Sequence, residues 1–366
     1  MALVMRYLKK CMYFCIPNNK HTVMDKRKKS FRKIIVAAIA CITLLAVAVY
    51  FVFFSAMHPG NESQYVYIDD NDNIDSVMVK MDSLCTPQSM LGFKMMASVT
   101  SYADHVRSGR YDIGNGKGAF TVFRKMKNGM QAPVNLTIPG VRTVDRLAGA
   151  LAKKLMVDSV QVLNALTDSA VCAKYQYTPE TIVCMFIPNT YDVYWNVAID
   201  KLLDRMDKES KRFWNDERTR KANDMKLTKE QVMTLASIVD EETANDAEKP
   251  IIAGMYYNRL MCDMPLQADP TIKFAINDFS IRRIYHNMLM VNSPYNTYKN
   301  TGLPPGPIRI PSVAGIDAVL NYAHHKYLYM CAKEDFSGTH NFAETYQEHL
   351  QNAAKYSDAL NKRGIK

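Results

Sequence analysis

The chain has 366 residues, 48% of them hydrophobic and 22% charged, which gives room for two domains and a substantial core. Its formal net charge of +10 invites a nucleic-acid partner, but ten Lys and Arg against Asp25 alone fall within residues 1–33, leaving +1 for everything after Lys33. A nucleic-acid-binding body should carry a basic face of its own, so this near-neutral body argues against that class.

The basic tail, residues 1–33, leads into Ile34 to Phe54, 21 residues without a charge. That length crosses a bilayer core of about 30 Å, and a core helix so long would normally show a polar stripe. A cleaved signal peptide usually has an apolar region of only about 7 to 15 residues, so a retained anchor over 34–55 is expected. The basic flank then stays in the cytoplasm and the rest of the chain lies outside. Met24, opening MDKRKKSFRK, is an alternative start. Of eight cysteines, Cys11 and Cys15 lie in the tail and Cys41 in the span. The five beyond it (Cys85, Cys172, Cys184, Cys262 and Cys331) form neither a disulfide framework nor a zinc-ligand spacing. A Cys172–Cys184 bridge is an alternative, but small core residues are the simpler expectation.

Residues 56–64 read as a short polar linker. Next, YVYIDDNDNIDSVMVKM predicts a strand, an acidic turn and a helix through Ile74, Val77, Met78 and Met81. Phe93 to Val106 reads as helical. SGRYDIGNGKGAFTVFRKMKNG predicts a strand, a glycine-rich turn and a helix ending at Gly129, and VNLTIPGVRTVDRLAGALAKKL repeats that scheme. GNGKG lacks the GxxxxGK[ST] frame of a phosphate loop. TPETIVCMFIPNTYDVYW is apolar and aromatic; Tyr191, Tyr194 and Trp195 suit either sugar stacking or a core. Lys201 to Asn223 predicts one charged helix with Leu202, Leu203, Met206 and Phe213 packed inward.

Chemistry is proposed by residues 228–270. Thr228 and Gln231 have capping-box spacing, and Val232, Leu235, Ala236 and Val239 share a helix face. At about 100° per residue Glu242 projects between Leu235 and Ile238 on the apolar side, while Asp240 falls near the opposite edge and Glu241 outside the stripe. A carboxyl held against apolar neighbours is harder to ionise, which is what a general acid requires. Pro250 begins another helix, on which Arg259 is expected to hold a carboxylate. Gln267, Asp269 and Pro270 are expected on a loop, where Asp269 is either a second active-site carboxylate or a turn former. The proline- and glycine-rich SPYNTYKNTGLPPGPIRIPS reads as a rigid irregular loop, presenting Asn296, Thr297 and Tyr298 as hydrogen-bond partners or simply turning the chain. KYLYMCAKE predicts a strand, and GTHNFAETYQEHLQNAAKY a turn and a closing helix. His340 and His349 lack the carboxylate spacing of a zinc site, so hydrogen-bonded structural histidines and no metal are expected.

The order ASIVDEETA, YNRL, MPLQADPTI, YNTY and GLPPGPI resembles the MltG/YceG-like endolytic murein transglycosylases. The resemblance covers residues 65–360 and is most specific over Ala236 to Pro270 and Ser293 to Ile308. It implies an α+β fold: one transmembrane helix, a LysM-like glycan-binding domain over 65–170, and a mainly helical catalytic domain over 171–366. Carried over, Glu242 is the catalytic glutamate, while Gln267, Asp269, Asn296, Thr297 and Tyr298 position substrate. Asp240 stands where the family usually has Glu, and Asn189 where it usually has Asp, so neither is assigned acid/base work. The implied reaction cuts the bond leaving N-acetylmuramic acid to give a 1,6-anhydro end, without cofactor. The implied setting is the bacterial cell membrane, beside wall synthases, with peptidoglycan strands as substrate. A hydrolytic glycosidase using Glu242 with Asp269, and a non-enzymatic wall-binding anchor, are the alternatives.

Overall fold

The computed structural model describes residues 19–364, with side chains from residue 28 onward. The first part of the basic tail, with Cys11 and Cys15, lies outside the described residues. The chain forms two compact units, one ending at Ala132 and the other beginning at Pro133. Both mix helix and strand, with helix predominating.

The first unit begins with a long helix, α1 (Asn19–Phe53). Its segment Lys28–Phe53 is the one helix among the described residues long and apolar enough to cross a membrane, and none of its apolar window is buried. Strands β1 (Tyr65–Ile68) and β2 (Gly109–Asp112) pair antiparallel, Tyr65 opposite Asp112. Around them pack α2 (Ile74–Asp82), α3 (Pro87–Val99) and α4 (Ala119–Lys127). Asn73 caps α2 by accepting from the Ser76 amide, and Pro87 opens α3 where its missing N–H costs nothing. Phe93, Tyr102 and Phe123 meet edge to face at the centre of this core. Residues 56–64, expected as a linker, are stitched into the unit. Ala56 bridges Gly118, Met57 is wholly buried, and His58 Nδ1 lies 2.8 Å from the Leu84 carbonyl.

In the second unit β3 (Val134–Thr137) pairs antiparallel with β4 (Thr190–Val193). Helices α5 (Val144–Ala152), α6 (Ser159–Thr167), α7 (Ser169–Lys174) and α8 (Ile199–Phe213) bury Leu147, Leu151, Val162, Cys172 and Leu202 with Phe186 against this pair. The two strand–turn–helix stretches that read as one repeated scheme therefore divide between the units, because β1 finds its partner at β2 and β3 at β4. Where one helix was expected over 201–223 there are two, α8 and α9 (Asp216–Asp224). Trp214 turns into the core between them, and Asn215 caps α9 by accepting from the Arg218 amide.

A second core surrounds α10 (Lys229–Glu242), walled by α11 (Lys249–Met261), α12 (Asp269–Ile276) and α13 (Val313–Leu320). Strands β5 (Tyr329–Ala332) and β6 (His340–Ala343) form an antiparallel hairpin, followed by α14 (Tyr346–Lys362). Residues 340–343, expected as a turn, are thus a second strand. All six cysteines among the described residues are free, so the Cys172–Cys184 bridge is not formed.

Candidate active site

Helix α10 starts with the capping box expected of Thr228 and Gln231: the Gln231 amide donates to Thr228 Oγ1 at 3.2 Å, and the Thr228 amide to Gln231 Oε1 at 2.8 Å. Every residue from Val232 to Val239 is buried, so this helix is enclosed on all sides rather than amphipathic. Within it the Ser237 hydroxyl accepts the Ile308 amide at 3.0 Å, tying the proline-rich loop to the helix. Gly306 in that loop lies so close to the Glu180 carbonyl that a Cβ would stand 2.2 Å from its oxygen.

The enclosed helix ends in three consecutive carboxylates, and each meets different company. Asp240 is buried against Lys249 Nζ at 2.8 Å and accepts from the Ser312 amide and hydroxyl at 2.5 and 3.0 Å. It thereby fixes the start of α13, where a Cβ on Gly315 would meet its Oδ1 at 2.5 Å. Glu241 receives a bidentate pair from Arg142, at 2.9 and 2.8 Å, and a third bond from Arg309 at 3.1 Å. Both residues brace the fold.

Glu242 has no cation bound to it among the described residues. It is half-buried and opens onto a cleft of about 360 Å³, accepting a 2.6 Å hydrogen bond from the Tyr256 hydroxyl. Burial pushes its pKa up to about 7, against the opposing pull of the Tyr256 hydrogen bond; Asp269 raises it further, and His340 and Lys273 lower it. A carboxyl so placed exchanges a proton near neutral pH.

The cleft collects most of the expected residues. Gln267, Asp269 and Tyr298 line it together with Glu242. Asp269 is not on a loop: it opens α12 with Pro270 in the first turn, an arrangement that suits both an acid and a proline at a helix start. The Tyr298 hydroxyl donates to its Oδ1 at 2.5 Å. Gln267 holds a left-handed φ of 51°, fixed by its amide donating to the Thr297 carbonyl at 3.0 Å.

Asn296 and Thr297 do not face the cleft. Both are wholly enclosed, 0% and 1% exposed. Asn296 Nδ2 donates to the Leu289 and Val291 carbonyls, and its Oδ1 accepts the Tyr298 amide at 3.0 Å. Thr297 Oγ1 accepts the Ala268 amide and shares a 2.8 Å bond with Thr271. They hold Gln267 and Tyr298 in place from behind. Arg259, expected on a carboxylate, instead binds the carbonyls of Leu328, Pro265 and Leu266 at 2.6 to 3.1 Å. Tyr191 is a core residue whose hydroxyl donates to the Ile187 carbonyl, and Asn189 Oδ1 accepts the Thr190 amide.

Tyr256 went unassigned in the sequence, whereas His340 and His349, expected as hydrogen-bonded structural histidines, also line the cleft. Tyr256 lies three residues before Arg259 and so shares its helix face, the one local signal that could have found it. His340 is held by buried Glu248, which accepts from its amide at 2.7 Å and lies 3.0 Å from its Nδ1. His349 has a buried Nδ1 without a hydrogen-bond partner; burial, helped by Arg259, lowers its pKa. A larger hollow of about 440 Å³ lies beside Arg142 and Arg309, but both arginines are already engaged by Glu241.

Comparison with known proteins bears on this cleft. The YceG-like family matches residues 66–355. An endolytic murein transglycosylase of Bacillus subtilis is 27% identical over 71% of this chain and 76% of its own length. Two of the same description from Streptococcus pneumoniae are 26% identical over 81% of this chain, which spans only 59% of their length. The crystal structure of a yceG-like protein from Listeria monocytogenes superposes with a TM-score of 0.53 and 26% identity, covering 80% of this chain and 99% of that one. With a match across most of its length, the chain belongs to the YceG-like family of endolytic murein transglycosylases.

Proposed function

We propose that the chain is a membrane-anchored lytic transglycosylase of peptidoglycan, with Glu242 as its single acid/base. The observation that carries this reading is the carboxyl of Glu242, raised to about 7 and facing a cleft with a second carboxylate and two tyrosines. Protonated Glu242 donates to the glycosidic oxygen leaving N-acetylmuramic acid. The resulting carboxylate then takes the proton of the C6 hydroxyl as that oxygen attacks C1, closing a 1,6-anhydro ring with no water consumed. A group poised near neutral pH serves both halves, so one glutamate suffices where a hydrolase employs two carboxylates.

Asp269 and Tyr298, joined by their short hydrogen bond, present acceptors to sugar hydroxyls. Gln267 adds an amide beside them. Support for anchoring comes from α1 and its basic flank, which by charge asymmetry stays cytoplasmic and sends the chain beyond α1 outside. Cutting inside strands near the membrane then limits glycan length alongside wall synthases.

Mass spectrometry of purified peptidoglycan treated with the protein tests this, wild type beside Glu242→Gln. The expected products carry 1,6-anhydro ends and vanish in the variant. Reducing ends would instead favour hydrolysis by Glu242 with Asp269. No products from the wild type would leave a wall-binding anchor.

A further inference from the structure

Within the first unit, α3 buries one side and leaves an apolar stripe on another. Leu91, Met95 and Val99 are 54%, 49% and 81% exposed and follow one another at i, i+4 and i+8, so they form one continuous face. Such a stripe, with nothing packed over it among the described residues, calls for an occupant.

The path of α3 says where that face lies. At its start the Thr86 amide donates to the Met57 carbonyl at 2.8 Å, beyond the end of α1. Two turns later a Cβ on Gly92 would stand 2.3 Å from the Val52 carbonyl oxygen, inside the last turn of α1. Helix α3 therefore runs back along the end of α1, towards the apolar segment. Val99 is seven residues beyond Gly92, about 10 Å further in that direction. Seven residues also bring the helix back to within about 20° of the same bearing, so Val99 faces the side on which Gly92 meets α1.

The uncharged run Ile34 to Phe54 is about 31 Å long as a helix, close to a bilayer's hydrocarbon thickness. That sets Val52 at the boundary of the hydrocarbon and the second half of α3 at or below it. Aromatic rings mark the same level: Tyr50 stacks on Phe54, and Phe54 meets half-exposed Phe120 of α4 at 5.9 Å. Lys94 stands on the opposite edge of the stripe, paired with Asp82 at 3.1 Å.

We infer that α3 is an interfacial helix, its Leu91–Met95–Val99 face seated with Phe120 in the outer boundary of the bilayer crossed by α1. The inference rests on α1 being a membrane span. With residues 56–58 bonded to Lys117, Gly118 and Leu84, the unit has no free tether by which to swing off the surface. The span and the interfacial helix thus act as two prongs that fix the first unit against the lipid.

The test uses the full chain in vesicles of phosphatidylethanolamine and phosphatidylglycerol, with an environment-sensitive fluorescent amino acid at one position at a time. Probes at Met95 and Val99 are expected to emit blue-shifted light and to be quenched by lipids brominated on the acyl chain, as is a probe at Leu45 within α1. A probe at Lys94 is expected to stay in water. Quenching at Leu45 with none at Met95 and Val99 overturns the interfacial helix alone, and a protein partner then becomes the occupant of the stripe. Loss of quenching at all three overturns the span and the helix together, and equal quenching at Lys94 overturns the oriented face.

Discussion

Two sides of the end of α10 use the same chemical group in opposite ways. On one side Asp240 and Glu241 meet Lys249, Arg142 and Arg309 at hydrogen-bond distance, which makes them struts. On the other, Glu242 is enclosed to a similar degree but, among the described residues, is offered only the neutral hydroxyl of Tyr256. Burial raises a carboxyl's pKa unless a cation offsets it, so the absence of a bound cation separates a reactive acid from a structural one. Adjacent positions on one helix differ in this because each successive residue turns about 100° towards another wall.

The contrast is broken most sharply by Glu242→Gln, which keeps shape and removes the proton. Release of anhydro-muropeptides, followed by mass spectrometry, should fall by about 10² to 10⁴-fold while folding is retained. Equivalent loss in Glu241→Gln with folding intact would erase the distinction. Next in size, Asp240→Ala leaves Lys249, 8% exposed, with Asp246 as its remaining carboxylate and frees the Ser312 amide. Urea denaturation should show destabilisation of about 3 kcal/mol, as for a buried pair losing one partner.

These roles were only partly legible in the sequence. Helical spacing from Leu235 and Ile238 sets the direction of Glu242, and the structure finds that side chain half-buried. The same spacing set Asp240 and Glu241 off the stripe but could not show that both are ion-paired, because their partners arrive from residues 142, 249, 309 and 312. In the loop at 293–312, residue types named three hydrogen-bonding side chains but not their directions. An irregular backbone has no period, and two of the three turn inward. Asp-Pro at 269–270 reads equally as a turn and as a helix start, and only packing of Ile272 into the core decided for the helix. The end of α8 was hidden for a related reason, since a charge pattern continues smoothly past Trp214 while burial does not.

A further test compares stability across pH. Glu242 has a folded pKa of about 7 against an ordinary 4.5. Below pH 4.5 both states hold the proton and the group is neutral to stability. Between 4.5 and 7 the unfolded chain releases its proton first, so folding loses stability as pH rises, by up to about 3 kcal/mol once above 7. Glu242→Gln removes that loss. Its melting temperature should match wild type near pH 4 and exceed it near pH 8; a constant difference would mean that burial does not hold the proton on Glu242.

The smallest expected effect concerns the one hydrogen bond that Glu242 does receive. The Tyr256 hydroxyl favours the ionised carboxylate, opposing the desolvation that keeps it protonated. Tyr256→Phe takes away that donor but keeps the ring in its buried place, so Glu242 should hold its proton to still higher pH, by about one unit. The alkaline limb of kcat/KM would move up by the same amount, and the plateau rate would change by less than about ten-fold. Were the limb to stay fixed while the plateau collapsed, Tyr256 would be acting on substrate rather than on Glu242. In that case the single hydroxyl would be part of the chemistry, and burial with Asp269 would hold the proton on the acid unopposed by it.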